Sequence, residues 1–204
     1  MSGIVELAPG LHRWTARHPD ASPSPDPGSP GDWGPDVGCV AYESPNALVL
    51  VDPLVPDDRP DLREKLDGLV RRHGRRVAIL TTLQFHRRSR DELAARYEAS
   101  TSRARAMLPA GVETVQVRGA GETMVWLAEP RALVPGDRLI GADGGGLRLC
   151  AESWLRYLPS GMRAPELRAA LRPLLDLPVE MVLVSHGEPV LRGGREAIAR
   201  ALEA

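Results

Sequence analysis

Three uninterrupted apolar runs constrain the fold more than any other feature of this sequence. They are Ala47–Val51, Val77–Leu80 and Met181–Val184. Each has the length of a strand, and a strand without polar positions has both of its faces buried. We therefore expect each run to be covered by helices on one side and by further apolar structure on the other.

Turn residues and apolar spacing divide the rest of the chain into hairpins and helices. Two hairpin-like stretches, 3–16 with 37–51 and then 112–134, interrupt the alternation of strand and helix that a doubly wound sheet requires. Two mixed sheets packed face to face, with helices outside, fit this order better. The predicted helices cover 60–73, 89–98, the segment that begins at Pro165, and 194–202, and the last strand is predicted over Val179–Val184.

We expect the chain to form a single domain over residues 1–204. The segment 17–36 differs in composition from the rest of this domain. It contains six prolines among Ser, Asp and Gly residues, so it supplies neither ladder donors nor apolar burial. We interpret it as a surface loop inserted between strands and not as a linker between domains. Together with Trp33 it is either a flap over a site or a plain solvent loop.

The charges of the chain almost balance, with 26 Lys and Arg residues against 27 Asp and Glu residues. Proteins that bind nucleic acid or membrane surfaces normally carry a basic excess, so neither partner is expected. No apolar run is long enough to span a bilayer, and the first residues do not resemble a signal peptide, which predicts a cytoplasmic protein. Cys39 and Cys150 form no zinc-binding cluster and are expected to be buried thiols.

Polar residues follow the predicted buried strands at the point where each strand ends. Asp52, His86 and His186 follow the three apolar runs, and Asp137 follows a further predicted strand over 131–134. Open α/β sheets collect ligands at the carboxyl ends of their strands. These four residues are therefore the candidate site.

Five sequence pieces, taken in their order, resemble the metallo-β-lactamase fold, and the resemblance extends from about residue 3 to the end of the chain. It implies a four-layer αββα sandwich with the site at one edge, and many members of this family are hydrolases that use one or two metal ions. The pieces are Ala47-Leu-Val-Leu-Val-Asp52-Pro53, Ile79-Leu-Thr-Thr82, Gly121-Glu122-Thr123, Gly136-Asp137-Arg138-Leu139 and Val184-Ser-His186-Gly187.

The main metal-ligand motif of this family, Thr-His-x-His-x-Asp-His, is altered in this chain. The motif threonine corresponds to Thr81, and only the aspartate of the Gly-Asp piece and the last histidine are retained. The residues at the successive ligand positions of the family are Thr82, Gln84, His86, Arg87, Glu122, Asp137 and His186.

The altered positions argue against a dinuclear zinc centre. Thr82 and Gln84 are poor zinc ligands, and the permanent charge of Arg87 repels a metal ion. The favoured interpretation has no metal cofactor, and Arg87 then replaces the lost cation by pairing with Asp137 or Glu122.

A single zinc or other divalent ion is the alternative to a site without metal. Two imidazoles and a carboxylate are adequate ligands for such an ion. The residues that would hold it are His86, Asp137, His186 and Glu122.

Three functional hypotheses follow, and they leave open whether the protein is an enzyme. The preferred one is a divergent member of the fold that has lost most metal ligands and binds a small polar or anionic ligand. The second is a hydrolase of an ester, lactone or similar substrate, in which His186 or His86 activates water and Asp137 orients it, with one residual metal ion or none. The third is a non-catalytic interaction protein whose surfaces form a homodimer. The candidate ligand-binding residues are Arg87, Glu122, Thr82, Gln84 and Asp52.

Overall fold

The computed structural model describes residues 3–22, 24–26, 28–29, 31–142 and 144–204. In these ranges, eleven strands and five α-helices follow one another along the chain. The strands are β1 (Val5–Ala8), β2 (Leu11–Arg17), β3 (Asp36–Ser44), β4 (Ala47–Val51), β5 (Val77–Leu80), β6 (Val112–Val117), β7 (Glu122–Leu127), β8 (Ala132–Val134), β9 (Leu139–Gly141), β10 (Leu147–Leu149) and β11 (Met181–Val182). The helices are α1 (Pro60–His73), α2 (Arg90–Tyr97), α3 (Glu152–Leu155), α4 (Ala164–Leu171) and α5 (Gly194–Glu203).

The strands form two mixed sheets and a small hairpin. The first sheet has the order β1-β2-β3-β4-β5, and only β4 and β5 are parallel within it. The second sheet has the order β11-β8-β7-β6, with β11 and β8 parallel, and β9 pairs with β10. The hairpins that were predicted within 3–16 and 37–51 are therefore confirmed.

Buried apolar side chains form three layers, which separate four layers of secondary structure. One apolar layer lies between the two sheets. A second lies between the first sheet and helices α1 and α2, and a third lies between the second sheet and helices α4 and α5. This arrangement confirms the predicted αββα sandwich.

Strand β4 shows why the apolar runs contain no polar position. Leu48 and Leu50 belong to the layer beneath helices α1 and α2, whereas Val49 and Val51 belong to the layer between the sheets. All four side chains are completely buried. Burial of such a side chain stabilises the fold by about 1.5–3 kcal/mol, so neither face of this strand tolerates a polar residue.

The last strand is shorter than the predicted Val179–Val184. Only Met181 and Val182 pair with β8 as a ladder, because the chain then leaves the second sheet. The carbonyl oxygens of Ser185 and His186 accept hydrogen bonds from the backbone N–H groups of Gly38 and Gly141, at 2.7 and 2.8 Å. The polar end of this strand is thus held by β3 on one side and by β9 on the other.

Two helical segments also differ from the sequence prediction. The helix predicted from Pro165 ends at Leu171 and continues as a 3₁₀ helix over Arg172–Asp176, since Pro173 cannot donate to the α-helical ladder. The short helix α3 was not predicted. None of the helices in the described ranges has the length and apolar character that crossing a membrane requires.

The described residues between β2 and β3 form turns and bends without a helix or strand, as the composition of the 17–36 loop predicted. Pro23, Pro27 and Pro30 of this loop lie outside the described residues. The Trp33 ring contacts the rings of His18 and His186, with centroid distances of 5.2 and 5.4 Å. The loop therefore reaches the candidate site, which favours the flap over the plain solvent loop.

Candidate functional site

The carboxyl ends of the parallel strands meet at one edge of the sandwich and open into a cleft. The loops that follow β4, β5, β8 and β11 carry Asp52, His86, Asp137 and His186 to this edge. His86, Asp137 and His186 line the cleft, which has a volume of about 1360 Å³. Asp52 lies beneath it and is almost completely buried. The fold thus brings the four predicted residues together.

His86, Asp137 and His186 place three potential metal-binding atoms around one point. The Nε2 atoms of the two histidines lie 3.0 and 3.3 Å from Oδ1 of Asp137. One donor atom from each residue lies within 4.8 Å of the other two. The Oδ1 atom is buried, yet no donor is aligned with it for a hydrogen bond. Such an arrangement suits atoms that surround a shared cation.

Asp52 fixes the orientation of His86 from beneath. Its Oδ2 atom lies 2.8 Å from Nδ1 of His86 and also accepts a hydrogen bond from the hydroxyl of Thr82, while its Oδ1 atom accepts the backbone N–H of Thr82 at 2.9 Å. A carboxylate beside Nδ1 keeps a proton on that nitrogen and leaves Nε2 facing Asp137. Asp52 and Thr82 are candidate ligand-binding residues, and the alternative for Asp52 is a structural carboxylate that bonds backbone donors of the neighbouring turn; in the structure their polar atoms bind each other and His86.

Arg88 joins three of the loops that form the site. Its guanidinium donates hydrogen bonds to the carbonyl oxygens of Gly38 and Asp52, at 3.0 and 2.8 Å, and to the hydroxyl of Ser185 at 2.6 Å. Asp52 and Arg88 both have a left-handed backbone, with φ of 48° and 40°. This conformation costs a non-glycine residue roughly 1 kcal/mol or more, so the surrounding hydrogen bonds must hold it in place.

The charges of the cluster follow from competition between burial and nearby carboxylates. Burial lowers the pKa of His86, but the charges of Asp137 and Asp52 outweigh this effect and raise the pKa to about 9. Burial would raise the pKa of Asp137, but His86 and His186 hold it well below its usual range. Burial lowers the pKa of His186 more than Asp137 raises it. Without a metal ion, the cluster at neutral pH is therefore a cationic His86, an anionic Asp137 and a neutral His186.

Two glycines and two tryptophans hold His186. Gly141 and Gly187 pack so closely that a Cβ on Gly187 would lie 2.9 Å from the backbone of Gly141, and φ of Gly187 is 80°. Trp33 and Trp154 lie edge-on to the His186 ring, with centroid distances of 5.4 and 5.5 Å. The imidazole is thus confined on two sides by aromatic rings, and only 8% of the residue is exposed.

Glu122 has a different role from the two that were predicted for it. Its carboxylate accepts hydrogen bonds from the backbone N–H groups of Gly136, Asp137 and Arg138, at 2.9, 2.8 and 2.9 Å. Both oxygens are therefore occupied, and Glu122 neither joins the metal-binding cluster nor pairs with Arg87. It fixes the turn after β8 and thereby positions Asp137.

Arg87 does not take the place of a cation, which corrects the prediction that it pairs with Asp137 or Glu122. Its side chain is 60% exposed and approaches Asp91 at 3.4 Å. Gln84 lines the cleft and is exposed, so it stays a candidate for ligand contact.

Sequence reasoning missed several residues that line the cleft. Arg138 follows Asp137 directly and so belongs to the same strand end, which was the available signal. Trp154 and Tyr157 lie in and just after the unpredicted helix α3, and their spacing of three residues places both on one side of a turn. Arg103 follows a bridge between Ala78 and Ser100, which no local pattern predicts.

The residues present fit one divalent metal ion. Two imidazole nitrogens and one carboxylate oxygen match the usual ligands of a catalytic zinc site, which leaves a position open for water. The Asp52 carboxylate at Nδ1 of His86 is the outer contact that ligating histidines commonly have. Within the residues that the structure describes, no second group of three such side chains lies together.

Comparison with known proteins gives a fold and no closer relationship. No protein-family model and no curated protein matches the sequence. A metallo-β-lactamase from Erythrobacter litoralis is 16% identical with a TM-score of 0.62, covering 98% of this chain and 90% of that chain. The DIM-1 metallo-β-lactamase is 13% identical with a TM-score of 0.57, and 97% of each chain is covered.

A third similar structure is a metallo-β-lactamase family protein from Thermus thermophilus. It is 17% identical with a TM-score of 0.52, covering 97% of this chain and 80% of that chain. Identities this low establish architecture and not activity. The αββα layers, the mixed sheets and the near-complete coverage together show that this chain has the metallo-β-lactamase fold.

Proposed function

We propose that this protein is a hydrolase of a small ester, lactone or similar substrate that uses a single divalent metal ion. The residues that would hold the ion are His86, Asp137 and His186. The observation that carries this proposal is the buried Oδ1 atom of Asp137, which lies 3.0 and 3.3 Å from two imidazole nitrogens and lacks an aligned donor. The metallo-β-lactamase fold supports a hydrolytic reaction at this edge of the sandwich.

Hydrolysis at this cleft needs no co-reactant other than water. Water adds to the carbonyl carbon, the bond to the leaving oxygen breaks, and a proton from the water ends on the leaving alcohol. A divalent ion, when bound, supplies a Lewis acid and a water molecule of lowered pKa.

The side chains of this chain contribute orientation and protection from solvent. Asp52 holds the proton on Nδ1 of His86, so that Nε2 faces the shared point. Glu122 fixes the turn that presents Asp137. Trp33 and Trp154 shield His186 from bulk water.

A second function is favoured by the same short distance between His86 and Asp137. At 3.0 Å, a protonated His86 and an ionised Asp137 attract each other and can fill the site without a metal ion. The protein would then bind a small polar or anionic ligand without catalysis, or hydrolyse it with His186 as the base.

Metal binding by chelator-treated protein separates these two functions. We expect titration calorimetry with Zn²⁺ and with Mn²⁺ to give one ion per chain, and we expect His86→Ala and His186→Ala to lose at least about 90% of the affinity, since each removes one of three ligands. His73→Gln is the matched control, because His73 lies outside the cluster, with its Nε2 atom 3.1 Å from the carbonyl oxygen of Ser44 at the other end of β4. The zinc-loaded protein should hydrolyse members of a p-nitrophenyl ester and lactone panel.

Three results would overturn the proposal. Absence of binding at millimolar metal concentration would leave only the second function, which needs no metal ion. Binding of two ions per chain would contradict a single centre, and equal loss of affinity in His73→Gln would indicate non-specific binding. Stoichiometric binding without hydrolysis of any panel member would reject the hydrolase and keep the metal site.

A further inference from the structure

The cleft gathers an unusual share of the aromatic side chains. Half of the eight Phe, Tyr and Trp residues in the chain line it, namely Trp33, Phe85, Trp154 and Tyr157. Phe85 and Tyr157 are each 69% exposed. Large apolar side chains that stay exposed together around a concave site are typical of surfaces that pack against a ligand.

Arginines line the same cleft in excess of nearby carboxylates. Arg87 and Arg90 both pair with Asp91 outside the site. The other three lining arginines are Arg88, Arg103 and Arg138, and none of them has a carboxylate within 4.0 Å among the described residues.

Arg138 is the most informative of these three arginines because only 5% of it is exposed. Its guanidinium donates to the carbonyl of Ala120 at 2.9 Å and approaches the sulfur of Cys150 at 3.8 Å. Neither contact carries a negative charge, and the buried Glu122 carboxylate acts on this cation only from beyond 4.0 Å. A buried cation is stabilised by a close counter-charge, and an anion in the cleft would supply one.

Most of the unsatisfied buried polar atoms of the described residues belong to residues that line this cleft. The Nε1 atom of Trp154, the Oγ1 atom of Thr81 and the Nδ1 atom of His186 are buried without a hydrogen-bond partner. Buried polar atoms in folded proteins are normally satisfied, so these orphans set the surroundings of the cleft apart from a fully satisfied core.

We infer that the cleft binds a small amphipathic oxyanion, with a planar apolar body and one carboxylate or phosphate group. The body packs against the aromatic side chains of the cleft, and the oxyanion pairs with its unpaired arginines. This inference names the substrate class of the proposed hydrolase. It rests on that function only where it identifies the ligand as a substrate. Binding itself requires no metal ion.

Binding to chelator-treated protein tests this inference independently of catalysis. The probes are 1-naphthoate, 1-naphthyl phosphate, neutral 1-naphthamide, acetate and inorganic phosphate, measured by tryptophan fluorescence and calorimetry. We expect at least one naphthyl anion to bind at least about tenfold more tightly than 1-naphthamide, since charge-assisted pairing is lost in the amide. We expect acetate and phosphate to bind more weakly still, because they lack the apolar body. The two naphthyl anions compared with each other distinguish a carboxylate from a phosphate.

Variants at the rim of the cleft locate the binding. Arg103 is exposed, so Arg103→Gln leaves the core intact and should weaken anion binding about threefold, as for an exposed ion pair. Trp154→Leu should weaken binding of the naphthyl anions and reduce the fluorescence change. Arg148→Gln is the matched control, because Arg148 is an exposed arginine outside the cleft.

Equal affinity for 1-naphthoate, 1-naphthyl phosphate and 1-naphthamide would overturn the inference, as would the absence of binding by every probe at millimolar concentration. An equal loss in Arg148→Gln and Arg103→Gln would also overturn it, since the effect would then be one of net charge. Tight binding of a naphthyl anion by a protein that hydrolyses no ester would support the inference and reject the proposed function. Hydrolysis of neutral esters without preference for anions would support the proposed function and reject the inference.

Discussion

Two buried histidine–carboxylate pairs lie at opposite ends of the first sheet, and their surroundings differ. His12 on β2 lies 2.8 Å from Glu43 on β3, whose side chain is 34% exposed. His86 lies 2.8 Å from Asp52, whose side chain is 3% exposed, and it also faces Asp137. In the first pair, the two side chains bond each other, and Glu43 is partly exposed to solvent. The second belongs to a cluster with a shared, unsatisfied oxygen at the mouth of a cleft.

The backbone conformation also differs between these two ends of the sheet. Asp52, in the second pair, has a left-handed backbone, and so does Arg88 beside it. The first pair lies within antiparallel strands, where His12 pairs with Ala41 in register. Among the described residues, five of the eight buried polar side-chain atoms without a partner belong to residues that line the cleft, so strain and unsatisfied atoms concentrate at the end that carries the candidate site.

Replacing Asp52 with asparagine should have the largest effect. Asp52→Asn keeps the shape and the tolerance for a left-handed backbone, but it removes the charge that faces a buried cationic His86. We expect the free energy of unfolding to fall by about 3 kcal/mol, the lower end of the cost of removing one partner of a buried ion pair, because Asp137 still faces His86. Urea denaturation of the metal-free protein measures it.

Glu43→Gln is the matched change at the other end of the sheet. Because Glu43 is partly exposed, we expect a loss of less than about 1 kcal/mol. If the two variants lost equal stability, the contrast between the two pairs would be wrong.

The pH dependence of stability should come next in size. The pKa of His86 is about 9 in the folded, metal-free protein, above the unfolded value of 6.5. Its stabilisation is therefore complete below pH 6.5 and disappears as the pH rises through 9, with a total of up to about 3 kcal/mol. Asp52 faces Nδ1 of this imidazole and Asp137 faces Nε2, whereas the charge of Arg88 opposes that of His86. Urea denaturation of chelator-treated protein from pH 7.5 to 9.5 measures the loss.

The variant His86→Gln supplies the comparison for this pH series. It should flatten the curve over the same range, because the titrating group is absent. A wild-type curve that is flat from pH 7.5 to 9.5 would show that His86 is neutral in the folded protein at neutral pH.

Glu122→Gln should have an intermediate effect on stability. The carboxylate accepts three backbone N–H groups, and an amide directs an NH₂ group at one of them, so we expect a loss of about 2 kcal/mol. Metal affinity should also fall, because the turn that presents Asp137 loosens. Glu113→Gln on the neighbouring strand is the control, since Glu113 is exposed and should change stability by less than about 0.5 kcal/mol. Equal losses in both variants would contradict the positioning role.

The layers and the strand ends could be predicted from sequence because they depend on local patterns. The apolar run of β4 required burial on both faces, and the polar residues after the strands marked the edge where loops converge. Val179–Val184 was predicted too long because its apolar character continues after the ladder ends. Leu183 and Val184 are buried in the apolar layers although only Met181 and Val182 pair with β8.

The partners of the site residues could not be predicted in the same way. Motif position placed Glu122 at a ligand position, but its partners are backbone N–H groups of a turn fourteen residues away, which no side-chain pattern encodes. Arg87 and Arg88 are neighbours of the same type, yet Arg88, with a φ of 40°, bonds groups of the site, whereas Arg87 lies in solvent. Residue identity predicted which groups gather, whereas tertiary geometry decides what each one contacts.

Phe85 should show the smallest effect on stability of all these residues. Its side chain is 69% exposed, so Phe85→Ser removes little buried area and should change the free energy of unfolding by less than about 0.5 kcal/mol. Leu83, two residues earlier, is 3% exposed, and Leu83→Ala should cost about 2–5 kcal/mol. The same Phe85→Ser variant should weaken binding of the naphthyl anions, because it removes one aromatic wall of the cleft. A large loss of stability in Phe85→Ser would mean that this ring is packed in solution, and the cleft would then lack the exposed aromatic surface that sets it apart from the opposite end of the sheet.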